Sequence, residues 1–249
     1  MATPNRRETL RQQQAAAQAR QARFTRALVI GVAALAVVLI GVFVFVGVQA
    51  GKSKAEQAAN ALTPPNAAAG GIAINPGAPD SAPQVVLYVD YQCPACANFE
   101  QAFGGELAKM AAEGEIRYSQ VTMTFMDRNI GNDSSTKAAN AAVCADEAGA
   151  YTDYNQAIFA NQAHDGSGYP DQLLRDQLPE QVGISSEGLA TFQKCYDGKL
   201  GASFVEGMNK FAYDAKVTST PTITVNGTKI DNATLSSPDA LRDQIKALS

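Results

Sequence analysis

Two cysteines stand three positions apart, at 93 and 96, where a buried strand gives way to a helix. Residues 85–89 are a continuous run of apolar and β-branched side chains, which is typical of a central strand. After the cysteines, apolar side chains recur at spacings of three and four and therefore share one helix face. These residues are Cys96, Phe99, Phe103, Leu107 and Met110. A strand that runs through Cys-Pro-Ala-Cys into an amphipathic helix predicts an α/β fold.

The position of this pair at a helix N-terminus favours redox chemistry. Two residues three apart in a first helical turn have Cα atoms roughly 5–6 Å apart, a distance that suits a disulfide. The free N–H groups and the dipole at this end favour a thiolate on Cys93. Pro94 fits the first helical position, because a backbone N–H at that position would have no acceptor within the helix. We expect Cys93 to be exposed to attack and Cys96 to be buried as the resolving sulfur.

Two other roles fit the cysteine pair less well. Zinc sites usually combine one such pair with a second close pair, whereas this chain has four cysteines and a single histidine. Its other cysteines, Cys144 and Cys195, stand alone and far from Cys96. An inert disulfide between Cys93 and Cys96 would close so small a ring that it would remove little entropy from the unfolded chain. We therefore expect a redox-active pair and no metal.

The remaining two cysteines, Cys144 and Cys195, fall in two different predicted helices. In an oxidising compartment, two such cysteines are expected to form a structural disulfide. The loop that they close would stabilise the fold by about 4 kcal/mol in the chain-entropy description of disulfides. The alternative is a pair of free thiols that pack as small apolar side chains.

An uncharged apolar stretch at residues 27–48 predicts a transmembrane helix. As a helix it spans about 33 Å, enough for a hydrocarbon core of about 30 Å. Six arginines precede it in residues 1–26, so the positive-inside rule places this basic tail in the cytoplasm and the rest outside. The alternative is a cleaved signal peptide, although the apolar region of such a peptide is usually about 7–15 residues long. Residues 49–83, rich in Ala, Pro, Gly and Asn, predict a flexible linker.

The remaining residues, 84–249, predict one folded domain in the order β-α-β, a block of helices, then β-β-α. Its later elements are a strand at 115–125, inserted helices over about 134–215, a hairpin at 222–230 and a last helix from Ser237. Pro221 opens the hairpin, because a proline is placed at the end of a strand and not in its middle. From this position alone, a trans peptide bond before Pro221 is the more common outcome, although a cis bond would cost only about 0.5–1 kcal/mol. The first strand of the hairpin is expected to lie beside residues 85–89.

The charge of the chain excludes one class of partner. The chain carries 20 basic and 24 acidic residues, and without residues 1–26 it keeps 14 basic and 23 acidic ones. This acidic body argues against nucleic acid, because phosphate binding depends on basic patches. The sequence also has no glycine-rich phosphate loop, so nucleotide chemistry has no support in it.

The motifs around the Cys93–Cys96 pair and around Pro221 resemble those of the DsbA-like thiol–disulfide oxidoreductases, which have the thioredoxin fold. The similar motifs are Val-Asp-Tyr-Gln-Cys-Pro-Ala-Cys at 89–96, Phe99-Glu100, Thr220-Pro221-Thr222 and Val225-Asn226-Gly227. A second cysteine pair in the helical block, together with one N-terminal span, resembles the membrane-anchored Gram-positive and actinobacterial members. The resemblance implies a thioredoxin fold with an inserted helical domain, preceded by a single transmembrane helix.

The resemblance also assigns roles to four residues. Cys93 is the reactive cysteine, and Cys96 is its partner in the redox disulfide. Pro221 would follow a cis peptide bond, and the backbone of Thr220 would pair with a substrate peptide as an added strand. Several members have a histidine between the cysteines, where this chain has Ala95, which implies a milder oxidant. The expected partners are reduced exported proteins and a quinone-linked membrane reoxidase of the DsbB or VKOR type, with no cofactor.

These features together predict an extracytoplasmic enzyme that introduces disulfides into exported proteins. A reductase or a disulfide isomerase, for example in cytochrome c maturation, is the first alternative. A membrane-tethered binding module without turnover is the second alternative. The intact Cys93–Cys96 pair argues against the second, and the reduction potential of that pair separates the first from the prediction.

Overall fold

A computed structural model describes Leu35 and residues 39–46, 61–163 and 165–249, with only the backbone of Ser186. The predicted basic tail at 1–26 lies outside the described residues, as does most of the predicted transmembrane segment at 27–48. Residues 39–46 are helical and their large apolar side chains are exposed. Within the described ranges, no helix is both long and apolar enough to cross a membrane. The chain divides into two compact units after Glu56.

A six-stranded sheet forms the centre of the second unit, in the order β1-β2-β4-β3-β5-β6. Its strands are β1 (Ala67–Ala68), β2 (Gly71–Ala73), β3 (Gln84–Val89), β4 (Arg117–Thr122), β5 (Thr222–Val225) and β6 (Thr228–Lys229). β3 is central, since it runs parallel to β4 on one side and antiparallel to β5 on the other. The side chains from Val85 to Val89 are all buried. The predicted strand at 85–89 and its pairing with the strand after Pro221 are confirmed.

Residues 67–73 form β1 and β2, although the composition of residues 49–83 predicts a flexible linker. β2 pairs antiparallel with β4, and Ile72 and Ile74 are buried there. The prediction is wrong for this stretch because two isoleucines among small residues give no clear periodicity. β2 forms because it pairs with the open edge of β4, a strand that is distant in the sequence. The folded domain therefore begins before residue 84.

Helices connect the strands and account for most of the remaining chain. They are α1 (Pro94–Phe99), α2 (Gly105–Ala112), α3 (Met126–Ile130), α4 (Ser134–Glu147), α5 (Tyr151–Ala160), α6 (Leu178–Gln181), α7 (Ser186–Asp197), α8 (Ala202–Asp214) and α9 (Pro238–Ala247). The amphipathic helix predicted from Cys96 to Met110 is present as α1 and α2, which a π-helical turn at Glu100–Gly104 joins. A second π-helical turn, Leu173–Gln177, precedes α6. The predicted order of strands and helices, and the α/β class, are confirmed.

The helical insertion, α3 to α8, lies between β4 and β5 in the chain. α4 is its central helix, because it contacts α5, α7 and α8. Its alanines are almost fully buried, and their small side chains let these neighbours approach closely. Cys144 in α4 and Cys195 in α7 are joined by a disulfide, with Cα atoms 5.8 Å apart. The structure therefore contains the disulfide that the sequence favours and not two free thiols.

Candidate active site

Residues 90–96, the redox turn, lead from the end of β3 into α1. Cys93 immediately precedes the helix, and its carbonyl oxygen accepts the N–H of Cys96 at 3.0 Å. The Cys93 sulfur lies 3.5 Å from the carbonyl oxygen of Thr220, to which it donates a hydrogen bond when it is protonated. Thr220 is joined to Pro221 by a cis peptide bond just before β5. The fold thus brings together the four residues that the resemblance assigns to the site.

Cys93 is more covered than its position at the helix end predicts. It exposes 8% of its surface, and Cys96 exposes none. The expectation of a freely exposed Cys93 is wrong in degree, because the carbonyl of Thr220 packs against its sulfur. The predicted difference in exposure is nevertheless present, because Cys93 is partly accessible and Cys96 is enclosed.

The surroundings of Cys93 favour its thiolate. They lower the pKa of the Cys93 thiol from its usual 9.0 to about 5. The largest cause is the hydrogen bond that the Cys96 side chain donates to the Cys93 sulfur, and burial acts in the opposite direction. The side chain of Thr220 and the N–H groups of Ala95 and Cys96 lower the pKa further. The thiolate is therefore the main form of Cys93 at neutral pH.

The surroundings of Cys96 favour its protonated thiol. Burial raises the pKa of the Cys96 thiol well above its usual value, and the neighbouring Cys93 raises it further. Cys96 therefore stays protonated at neutral pH when the pair is reduced. The Cys96 thiol donates this proton in the hydrogen bond that stabilises the Cys93 thiolate.

Asp90, at the end of β3, is fully buried and organises the redox turn. Its carboxylate accepts the N–H groups of Gln92 and Met126, both at 3.0 Å, and the hydroxyl of Ser135 at 2.5 Å. Its carbonyl accepts the N–H of Cys93 at 2.9 Å. Burial raises the pKa of Asp90 to about 6, although these bonds to the carboxylate lower it. Asp90 therefore connects the redox turn with the starts of α3 and α4.

Gln92 ties the same turn to the helical insertion. Its Nε2 lies 2.8 Å from Oδ1 of Asp127, 2.8 Å from Oδ1 of Asn132 and 2.9 Å from Oγ of Ser135. Its Oε1 accepts the Nδ2 of Asn132 at 2.8 Å. Two hydrogens on Nε2 face three acceptors, so these bonds are shared. The residue next to Cys93 is thus held by side chains from the start of the insertion.

Two side chains from the loop after α5 hold backbone carbonyls of the redox turn. Nε2 of Gln162 donates to the carbonyls of Tyr91 at 2.6 Å and of Cys93 at 3.1 Å. The hydroxyl of Tyr169 donates to the same Tyr91 carbonyl at 2.6 Å. No sequence pattern identifies these two residues, because they lie about seventy positions from the carbonyls that they contact.

Another acidic residue, Glu100, is half-buried and begins the π-helical turn after α1. Its Oε1 lies 3.5 Å from Nδ2 of Asn155, while its Oε2 is buried without a hydrogen-bond partner among the described residues. Burial raises the pKa of Glu100 to about 7. Its charge also raises the pKa values of the neighbouring phenols of Tyr118 and Tyr151, in each case after the larger effect of burial. An ionised Glu100 is therefore destabilising in the folded state.

Replacing Glu100 by Gln is expected to stabilise the protein at pH 8, by up to about 3 kcal/mol. The pKa is higher in the folded state, so the wild-type protein loses stability as the pH rises from 4.5 to about 7. The glutamine variant lacks this loss, and its advantage should disappear near pH 4.5. Urea unfolding at both pH values measures the difference, with the exposed Glu147→Gln as the matched control. An equal or lower stability of Glu100→Gln at pH 8 would contradict the prediction.

The arrangement suits thiol–disulfide exchange. Cys93 offers a partly accessible sulfur that is stable as a thiolate, and Cys96 offers an enclosed sulfur that can resolve a mixed disulfide. In the part of the chain that the structure describes, no three or more His, Cys, Asp or Glu side chains are grouped so that they could hold a metal ion.

Comparison with known proteins gives one family model and several similar solved structures. The sequence matches the family model described as Thioredoxin over residues 70–247. No curated protein sequence matches the chain. Oxidised DsbA from Mycobacterium tuberculosis is 25% identical, with a TM-score of 0.56 over 71% of this chain and 92% of that one. MdbA, a thiol–disulfide oxidoreductase from Actinomyces oris, is 22% identical, with a TM-score of 0.61 over 72% and 88%. BdbD from Bacillus subtilis is 22% identical, with a TM-score of 0.59 over 76% and 97%.

The family model covers more than half of the chain, and the three solved structures align over most of their own length. The thioredoxin-like fold with a helical insertion is therefore confirmed. The cysteine pair of the redox turn is the expected reactive centre of such a fold. The chain belongs to the thioredoxin family, and the solved structures that it resembles are DsbA-like thiol–disulfide oxidoreductases.

Proposed function

We propose that this oxidoreductase introduces disulfides into exported proteins, outside the cytoplasm, by exchange at Cys93 and Cys96. The observation that carries the proposal is the contrast between the two thiols, since the pKa of Cys93 is lowered to about 5 and that of Cys96 is raised. A cysteine that is stable as a thiolate is a good leaving group from a mixed disulfide. A pair with a stabilised thiolate also favours its own reduced form and therefore oxidises its substrate.

Each turnover transfers one disulfide to the substrate. A substrate thiolate attacks the Cys93 sulfur of the Cys93–Cys96 disulfide, and Cys96 leaves as a thiolate that takes up a proton because its pKa is raised. The second thiolate of the substrate then attacks the substrate sulfur in the mixed disulfide, and Cys93 leaves as a thiolate. The substrate gives up two thiol protons and two electrons, and the enzyme pair gains the two electrons.

Substrate binding beside Thr220 would use the main chain. The carbonyl of Thr220 lies 3.5 Å from the Cys93 sulfur, so a peptide whose cysteine reaches Cys93 passes next to it. A peptide that adds as a strand binds through backbone groups and therefore tolerates many sequences. Such tolerance suits an enzyme that acts on many different unfolded chains.

The proposed location of the catalytic domain has two supports. The apolar stretch at 27–48 follows six arginines, which favours a single span with a cytoplasmic N-terminus. A structural disulfide such as Cys144–Cys195 is typical of proteins in oxidising compartments. An enzyme that works there needs an acceptor for the electrons it collects. We propose a quinone-linked membrane reoxidase of the DsbB or VKOR type.

The reduction potential of the Cys93–Cys96 pair tests the direction of exchange. The full-length protein is equilibrated with glutathione redox buffers, its thiols are alkylated, and the modified cysteines are read by mass spectrometry. A potential of about −120 to −200 mV is expected and supports a disulfide donor. A potential of about −270 mV or lower would favour the reductase alternative. Cys144 and Cys195 are read in the same spectra and should stay oxidised throughout.

A further inference from the structure

The cis-proline loop, residues 218–221, is held by a side chain that lies beyond the hairpin, Asn232. This residue follows β6 and begins a 3-10 turn, Asn232–Thr234. Its Nδ2 donates a hydrogen bond to the carbonyl oxygen of Pro221 at 2.7 Å. Pro221 has no N–H, so its carbonyl is its only backbone group that can form a hydrogen bond. Asn232 therefore holds the proline by that group.

The register of the hairpin explains why a side chain makes this contact. β6 pairs antiparallel with β5, and the N–H of Ile230 donates to the carbonyl of Ile223 at 3.0 Å. Two positions further in this register, the N–H of Asn232 would meet the carbonyl of Pro221. The chain instead leaves the sheet at Asp231, which precedes the 3-10 turn. The amide of Asn232 thus takes the place of the backbone N–H of a strand that has already ended.

The bonding of the Asn232 amide is one-sided. Its orientation follows from the contact with Pro221, because an amide oxygen in that position would repel the carbonyl. The Oδ1 atom is left buried, and it has no hydrogen-bond partner among the residues that the structure describes. An unpaired buried acceptor is destabilising and offsets part of the gain from the Nδ2 bond. The main consequence of Asn232 is therefore the position of the loop that it holds.

This loop carries the backbone group that faces the reactive sulfur. Thr220 directly precedes Pro221, and its carbonyl lies 3.5 Å from the Cys93 sulfur. Without the bond from Asn232, the loop would be free to populate several conformations. A peptide that adds as a strand would bind only the fraction of molecules in which Thr220 is correctly placed. Its apparent affinity would fall in proportion to that fraction.

We propose that Asn232 is a positioning residue that holds the cis-proline loop in the conformation to which a substrate peptide binds at Thr220. This inference rests on the proposed function, because it concerns a peptide that pairs with Thr220 as an added strand. Asn232 acts through the carbonyl of Pro221. Once a peptide has bound, its own pairing holds the loop. The exchange step within the complex is therefore independent of Asn232, and only the binding step depends on it.

Single-turnover reduction of the full-length oxidised protein tests this assignment. A reduced dithiol peptide gives two electrons and two protons to the Cys93–Cys96 disulfide and closes its own disulfide. Alkylation and mass spectrometry of quenched samples give the rate at each peptide concentration. Two molecules of 2-mercaptoethanol carry out the same reduction without a peptide backbone. The ratio of the peptide rate to the 2-mercaptoethanol rate cancels any change in the reactivity of Cys93 itself.

Asn232→Asp is the main variant, because aspartate has nearly the size of asparagine and its ionised carboxylate cannot donate to the Pro221 carbonyl. At neutral pH and low peptide concentration, the rate ratio is expected to fall about threefold to tenfold, as for the loss of one hydrogen bond. At saturating peptide the ratio should return to within about twofold of the wild-type value. Asn232→Ala should show the same pattern.

Gln244→Ala is the matched control, since it removes a bond from α9 to Thr234 in the same 3-10 turn and keeps the contact with Pro221. Its ratio should equal that of the wild-type protein. A wild-type ratio in both Asn232 variants, an equal fall in the control, or a fall that persists at saturating peptide would overturn the assignment. If 2-mercaptoethanol reduced the wild-type protein and the peptide did not, the proposed exchange with peptide substrates would fail as well.

Discussion

Replacing Cys93 by serine is expected to reduce exchange to the uncatalysed rate, a loss of at least about a thousandfold. A serine hydroxyl stays protonated at neutral pH and forms no disulfide. Replacing Cys96 by serine is expected to have a different outcome, since Cys93 still reacts but the resolving thiol is gone. The Cys93 thiolate of this variant should attack a disulfide-linked dimer of a single-cysteine peptide, one peptide should leave as its thiolate, and the mixed disulfide should accumulate. The measurements are the rate at which the wild-type protein and Cys93→Ser, with oxidised glutathione as the oxidant, oxidise a reduced dithiol peptide, and mass spectrometry of the mixed disulfide on full-length Cys96→Ser.

The matched control removes the other two cysteines, by Cys144→Ala together with Cys195→Ala. This control should retain exchange at the redox turn, because neither residue belongs to it. Wild-type exchange by the Cys93→Ser variant would place the reactive sulfur elsewhere. An unchanged cellular phenotype in a variant without both Cys93 and Cys96 would instead favour a binding module without turnover.

The same double replacement of Cys144 and Cys195 is expected to lower the free energy of unfolding by about 4 kcal/mol. The two cysteines are 51 positions apart, so their disulfide restricts a long loop of the unfolded chain. Their side chains are buried between α4 and α7, and alanine leaves only a small gap there. Urea unfolding of the full-length variant and of the wild-type protein, without reductant, gives the difference.

The reduction potential of Cys93–Cys96 should be unchanged in this double variant, because the Cys144–Cys195 disulfide is a separate pair within the helical insertion. A loss of less than about 1 kcal/mol would mean that the unfolded chain is already restricted without the disulfide. A shifted potential would show that the two pairs communicate, which the structural role assigned to Cys144–Cys195 excludes.

The features that the sequence predicts correctly depend on neighbours along the chain. The strand at 85–89, the helix from Cys96 and the hairpin around Asn226-Gly227 all have local signals, namely an apolar run, a helical spacing and a turn pair. The four residues of the redox centre also follow from two short motifs. The resemblance to a known family places Thr220 and Pro221 at the same site, whereas the contact between the Thr220 carbonyl and the Cys93 sulfur is seen only in the structure.

The features that the sequence does not predict depend on distant partners. β2 exists because β4 offers an edge to it, and Ile72 is buried only in that pairing. Asp90 follows an apolar strand, and the sequence does not indicate that it is buried. In the structure, Ser135 and Met126 donate hydrogen bonds to its carboxylate. Gln162 is one polar residue in a loop, and its importance appears only when the loop lies against the redox turn. Contacts of this kind have no periodicity that a sequence pattern can express.

The residue that faces the Cys93 sulfur, Thr220, lies 127 positions later in the chain. During synthesis the two cysteines of the redox turn therefore emerge long before the strand that completes their surroundings. Until β5 has paired with β3, Cys93 lacks the lowering of its pKa that Thr220 provides. The contribution of Thr220 to the low pKa of Cys93 is therefore a property of the completed sheet and not of the redox turn alone.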